Sequence, residues 1–74
     1  MRRLHQNRDA LWRVIYIARG EQQAREIEDL LVQAGFLVDR KRLPDEGSRL
    51  EDIEIKALDA EAEEARLYLM EHGY

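Results

Sequence analysis

One run of eight residues, Leu11-Trp12-Arg13-Val14-Ile15-Tyr16-Ile17-Ala18, limits what this chain can fold into more than any other stretch. Aromatic and β-branched side chains dominate it, and it is too short for a helix with that composition, so it reads as a strand. Strict alternation sends Trp12, Val14, Tyr16 and Ala18 to one face. Leu11, Ile15 and Ile17 go to the other, with Arg13 the sole polar interruption. A strand that is apolar on both faces expects cover on both. The rest of the chain has to supply that cover, or a second molecule does.

A chain of 74 residues makes one domain. At that length only about 60–65% of the unfolded surface is buried, so the stability of an isolated copy is expected to be modest. Cysteine is absent, which excludes disulfides and thiolate zinc sites and suits a reducing compartment. No apolar run approaches the roughly 20 residues that cross a bilayer. The start, Met1-Arg2-Arg3-Leu4, resembles the basic end of a signal peptide, but no A-x-A-like cleavage site follows the apolar run. A cytoplasmic protein without a membrane span is the expectation.

The remaining elements follow in order. Gly20 can cap a helix whose first turn holds Glu21, Gln22 and Gln23. Ala24, Ile27, Leu30, Leu31 and Ala34 recur at three- and four-residue spacing and predict its buried stripe. Gly35 is placed to close it in the left-handed conformation. Residues 36–43, Phe-Leu-Val-Asp-Arg-Lys-Arg-Leu, read as a second strand, and Pro44-Asp45-Glu46-Gly47-Ser48 as a turn. Ile53-Glu54-Ile55-Lys56-Ala57 alternates cleanly and predicts a strand with Ile53, Ile55 and Ala57 inward and Glu54 and Lys56 outward. Asp59 is the expected N-cap of a second helix, with Glu61, Glu63 and Glu64 near its positive end. Leu58, Ala62, Ala65 and Leu69, with Tyr68 beside them, are its expected buried side, and His72 and Gly73 its close.

The order is therefore β-α-β-β-α in an α+β chain. A right-handed crossover sets the first two strands parallel, and the third, antiparallel to both, fits between them. Both helices then cover one face of a three-stranded sheet, giving a ferredoxin-like two-layer sandwich that lacks its last strand. Residues 1–10 form a flexible basic arm in this reading, and residues 11–74 the domain. The first strand is left at an edge with a free backbone ladder, an arrangement that natural sheets cover or blunt. A homodimer through that strand is the expected remedy, with Leu11, Arg13, Ile15 and Ile17 at the interface.

Several segments also resemble a known family. They are Trp12-Arg13-Val14-Ile15-Tyr16-Ile17-Ala18, the series Ala24, Ile27, Leu30-Leu31 and Ala34-Gly35-Phe36-Leu37-Val38, the pair Ile53 and Ile55, and Glu61 with Glu63-Glu64-Ala65. Together these resemble very small bacterial signal-transducing proteins with a PII-like variant of the ferredoxin-like fold, some relatives of which carry the name glutamate decarboxylase. The resemblance spans roughly residues 11–72 and rests on packing positions. It implies the same fold and a regulatory role. The chain departs from the family in its Arg-rich first ten residues and in the connection over residues 44–52.

The chemistry of the residues argues against catalysis. A pyridoxal phosphate decarboxylase needs a Schiff-base lysine in an enclosed pocket. The lysines here are Lys41 and Lys56, both at positions sent outward or into a basic run. Ser48 is the sole serine and Thr is absent, so a hydrolytic triad has no positioned nucleophile. Glu61, Glu63 and Glu64 spread around a helix start rather than converge. His5 and His72 lie at opposite ends of the sequence and make no metal pair. No catalytic residue, cofactor or metal is expected.

Charge divides the chain. Residues 1–19 carry five Arg against one Asp, whereas residues 44–74 carry ten carboxylates against three cations. Such asymmetry can mark a nucleic-acid-binding accessory protein. Base-stacking sheets, however, place aromatics on two central strands, and residues 53–57 contain none. A small anionic ligand has a clearer rationale. Arg19 and Gly20 stand at a strand-to-helix junction whose free N–H groups attract anions, and Arg40 and Arg42 add charge. An interaction or regulatory module, with an unidentified protein or a second copy as partner, needs no special residues and is the preferred expectation.

Overall fold

The computed structural model describes residues 11–43 and 51–74. The expected basic arm over residues 1–10 and turn over residues 44–48 lie outside the described residues. Strand β1 (Trp12–Arg19) leads to helix α1 (Glu21–Gln33), then strands β2 (Val38–Arg42) and β3 (Asp52–Leu58), a 3-10 turn (Asp59–Glu61) and helix α2 (Ala62–Glu71). The sheet order is β1-β3-β2, with both outer strands antiparallel to β3. The cleanest alternation in the sequence thus forms the middle strand, where the crossover rule places it.

Both helices pack on one layer. Ala24, Ile27 and Leu31 of α1 and Ala62, Ala65 and Leu69 of α2 join Ile53, Ile55 and Ala57 of β3 in a single buried cluster. Full burial of a Leu or Ile contributes about 1.5–3 kcal/mol each, so Ile27, Leu31, Ile55 and Leu69, all fully buried, dominate the stability. Leu30 is half-buried and Ala34 exposed, so the stripe on α1 is narrower than its spacing predicts.

Each helix ends in the same way. At α1 the Gly35 N–H donates to Val32 and the Phe36 N–H to Leu31, both at 3.0 Å, with Gly35 at φ 96°. At α2 the Gly73 N–H donates to Met70 at 3.2 Å and the Tyr74 N–H to Leu69 at 2.9 Å, with Gly73 at φ 93°. Both are Schellman closures, in which glycine takes the left-handed conformation at little steric cost. The residue after each glycine is aromatic and folds back onto the core. Tyr74 meets Tyr16 edge to face, with ring centroids 5.8 Å apart. This closure takes Phe36 out of the expected second strand, which begins at Val38.

Two further expectations are corrected. Asp59 does not cap the second helix: the chain makes a 3-10 turn from it with no side-chain cap hydrogen bond. Its Oδ1 instead accepts from Arg13 Nε at 2.7 Å. The faces of β1 also differ from strict alternation. Pairing with β3 runs Trp12↔Leu58, Arg13↔Ala57 and Val14↔Lys56, then resumes at Tyr16↔Ile55, Ile17↔Glu54 and Ala18↔Ile53. Ile15 is the extra residue of a β-bulge. It turns into the core at 8% exposure, beside Ala18, while Val14 and Ile17 remain 38% and 42% exposed. The Ile15 side chain is therefore spent on the core rather than offered to the dimer interface expected of it. The layer of sheet away from the helices carries Trp12, Val14 and Ile17 instead.

Candidate functional site

Two places bring polar and apolar groups together in a way the fold itself does not require. The first lies where α1 begins. Gly20, at φ 97°, is the N-cap of α1. Its N–H donates to the Glu51 carbonyl at 2.7 Å, while Gln23, in the first turn, accepts the Arg19 N–H on Oε1 at 2.7 Å. The junction is therefore tied into the protein. Arg40 and Arg42, two residues apart on β2, project to the helix side. Arg40 Nη2 donates to Glu21 Oε2 at 2.7 Å and its Nε lies 3.6 Å from Glu28 Oε1. With Ile53 and Glu21 these two arginines line a recess of about 220 Å³.

Of the four residues expected to hold an anion, the structure brings Arg40 and Arg42 together at this recess. Arg19 is drawn away: its Nε lies 2.9 Å from Asp52 Oδ1. Arg42 Nε in turn lies 3.3 Å from Glu51 Oε1. Among the described residues, part of the charge asymmetry is answered within the chain, since Arg13 and Arg19 of the basic half pair with Asp59 and Asp52 of the acidic half. Glu21, at the positive end of α1 and against Arg40, occupies the place an anion would take. The sequence offered no sign of this, because Glu21 and Glu28 look like ordinary helix-surface carboxylates.

The hydrogen bond from Arg40, opposed in part by burial and aided by its charge, holds the Glu21 carboxyl below its ordinary value of 4.5. A carboxyl lowered in the folded state stabilises the fold above its unfolded pKa, and that contribution is lost as pH falls through the folded value. Glu21→Gln is accordingly expected to lower the urea midpoint at neutral pH. The difference from the parent should shrink as pH falls through and below 4.5. A difference that does not change with pH would remove the ion pair as its cause.

The second place is the sheet layer opposite the helices, together with the outer edge of β1, which has no partner strand among the described residues. Trp12 stands opposite Leu58, Val14 opposite Lys56 and Ile17 opposite Glu54 on this layer. Asp39 and Lys41 of β2 continue it beyond β3. Leu11, 46% exposed, adjoins the apolar strip at its start. Arg13, the remaining interface residue expected from the sequence, lies toward the helix layer in its pair with Asp59. Trp12 and Val14, rather than Ile15, thus lie on this surface beside Ile17.

Among the described residues no group of acidic or histidine side chains is arranged to hold a metal ion, and no helix is long and apolar enough to cross a membrane. His72 Nδ1 lies 2.8 Å from the Tyr68 carbonyl oxygen, with its ring centroid 4.3 Å from that of Tyr68, an arrangement that closes the end of α2. Compared with protein-family models, with curated proteins and with solved structures, the chain gives no match.

Proposed function

We propose that this chain is a non-catalytic interaction module of regulatory type, which self-associates through β1 and the sheet layer beside it. The observation that carries this reading is the edge strand itself. Val14 and Ile17 stand exposed on β1, one of the two outer strands of the sheet and the more apolar of them. Exposed apolar side chains along an open edge favour association. A ferredoxin-like chain short of its last strand would have this strand order, and the missing strand would pair with β1. A PII-like regulatory domain accords with that, and a cytoplasmic location belongs to the same proposal.

The competing readings have less behind them. Arg13, Arg19, Arg40 and Arg42 are each paired with a carboxylate of the same chain, so these four cations are partly neutralised, which weighs against a nucleic-acid surface built on them. Lys41 and Lys56 stand on the open layer of the sheet, where the described residues give a Schiff base no enclosing walls, which weighs against the decarboxylase name. A small anion remains a second reading because Arg40 Nη1 is shielded and lacks a hydrogen-bond partner among the described residues. Titration with inorganic phosphate should then shift the Arg40 side-chain NMR signals.

Sedimentation velocity of the full chain across a dilution series tests the main reading, with Trp12, the sole tryptophan, as an internal reporter. A sedimentation coefficient that rises with concentration, together with a blue shift of Trp12 emission, is the expected result. A monomer with constant emission throughout would refute self-association.

A further inference from the structure

The register of the sheet arranges the middle of the open layer in two rows, between the Trp12–Leu58 pair at one end and the Arg19–Asp52 pair at the other. One runs Lys41, Glu54, Ile17 across β2, β3 and β1. The next runs Asp39, Lys56, Val14. On β2 and β3 the rows are two residues apart. On β1 they are three apart, and the bulge at Ile15 is what keeps both apolar residues in line. Within each row opposite charges stand directly across from one another, positions that usually support the sheet. Yet none of the ion pairs within 4.0 Å among the described residues involves these four side chains. Arg13, Arg19, Arg40 and Arg42 are clasped by carboxylates while this quartet is left open.

The second row is the charge complement of the first, position by position. A two-fold axis that crosses the strands midway between the rows exchanges them. Lys41 then lies over Asp39 of a second copy, Glu54 over Lys56, and Ile17 over Val14. An axis running along β3 would instead set Glu54 on Glu54 and Lys56 on Lys56. We infer that the open layer is a face-to-face homodimer surface organised about the first of these axes. This rests on the self-association proposed above and names the face, the symmetry and the pairs.

The geometry tolerates the natural twist of sheets. Rows two residues apart are separated by about 6.7 Å along a strand, and neighbouring strands by about 4.8 Å. Packed sheets cross at about 30°, which displaces the outer pairs by roughly 2.4 Å at that strand spacing, well within the reach of a lysine. Three short strands make a small interface, at the low end of specific ones, so the dimer is expected to be reversible. The central Glu54–Lys56 pairs fix register more than they add affinity.

Charge reversal distinguishes this mode from edge-to-edge pairing of two β1 strands, which leaves the charges of β3 far from the axis. Glu54→Lys and Lys56→Glu should each weaken self-association at least tenfold by setting like charges face to face. An equimolar mixture of the two should restore a heterodimer, because every central pair is then of opposite sign. Full chains are compared by sedimentation, with circular dichroism confirming the fold.

A second measurement does not depend on the charges. Ile17→Cys mixed with Val14→Cys and a short bis-maleimide reagent should give more hetero-linked than homo-linked product. A parent that dimerises, with both charge variants and both homo-linked products unaffected, overturns the face-to-face mode and leaves self-association through the β1 edge standing. A parent that stays monomeric defeats self-association itself and leaves this face to a different protein.

Discussion

Leu31→Ala is expected to lower the stability of this domain by about 2–5 kcal/mol, the range for removing a fully buried Leu side chain. Leu31 has no solvent exposure and lies in the cluster with Ile27, Ile55 and Leu69. Its backbone carbonyl also takes the closing hydrogen bond from Phe36, at 3.0 Å, so the side chain and the helix end are held at one point. A small domain has only about 5–15 kcal/mol to lose, and the variant should melt well below the parent. Val32 is the internal control. It is the next residue along α1 and is 53% exposed, so Val32→Ala should change stability by no more than about 0.5 kcal/mol. Urea unfolding followed by far-UV circular dichroism measures both. Equal midpoints for the two variants would mean that the other face of α1 meets the sheet.

That helix face was legible in the sequence because Ala24, Ile27 and Leu31 are set among polar residues, so their spacing has a phase. The same holds for Ile53, Ile55 and Ala57, each flanked by a charged or exposed neighbour on β3. Gly35 and Gly73 were legible as helix ends because few other residues enter positive φ without strain. The β1 run was not, since apolar side chains at nearly every position carry no phase at all. The core takes Ile15 and Ala18, three residues apart, and a strand can turn both inward only by inserting a residue.

The surroundings of Asp59 and of the arginines were not legible for a different reason. A local rule made Asp59 a helix cap, but Arg13, 46 residues away, offers it a charged partner that no local pattern contains. Arg40 and Arg42 read in the sequence as unpaired cations, and the fold sets Glu21, Glu28 and Glu51 beside them. Side-chain chemistry is read from the sequence, whereas the partner that neutralises it is chosen by topology.

The bulge predicts a sharp division between two isoleucines that strict alternation would treat alike. Ile15→Lys should unfold the domain. Its ammonium would have to enter an apolar cluster with no carboxylate among its buried members, and an unpaired charge there costs several kcal/mol. Ile17→Lys should leave the fold intact, because Ile17 faces away from the helices and stands directly opposite Glu54, which gives the new lysine a cross-strand partner. The helical far-UV circular dichroism should therefore be lost in the first variant and kept in the second. Self-association should fall in the second all the same, since the lysine takes the place of an apolar contact with Val14 of the other copy. Two folded variants with equal melting temperatures would return β1 to strict alternation and remove the bulge, along with the two rows that depend on it.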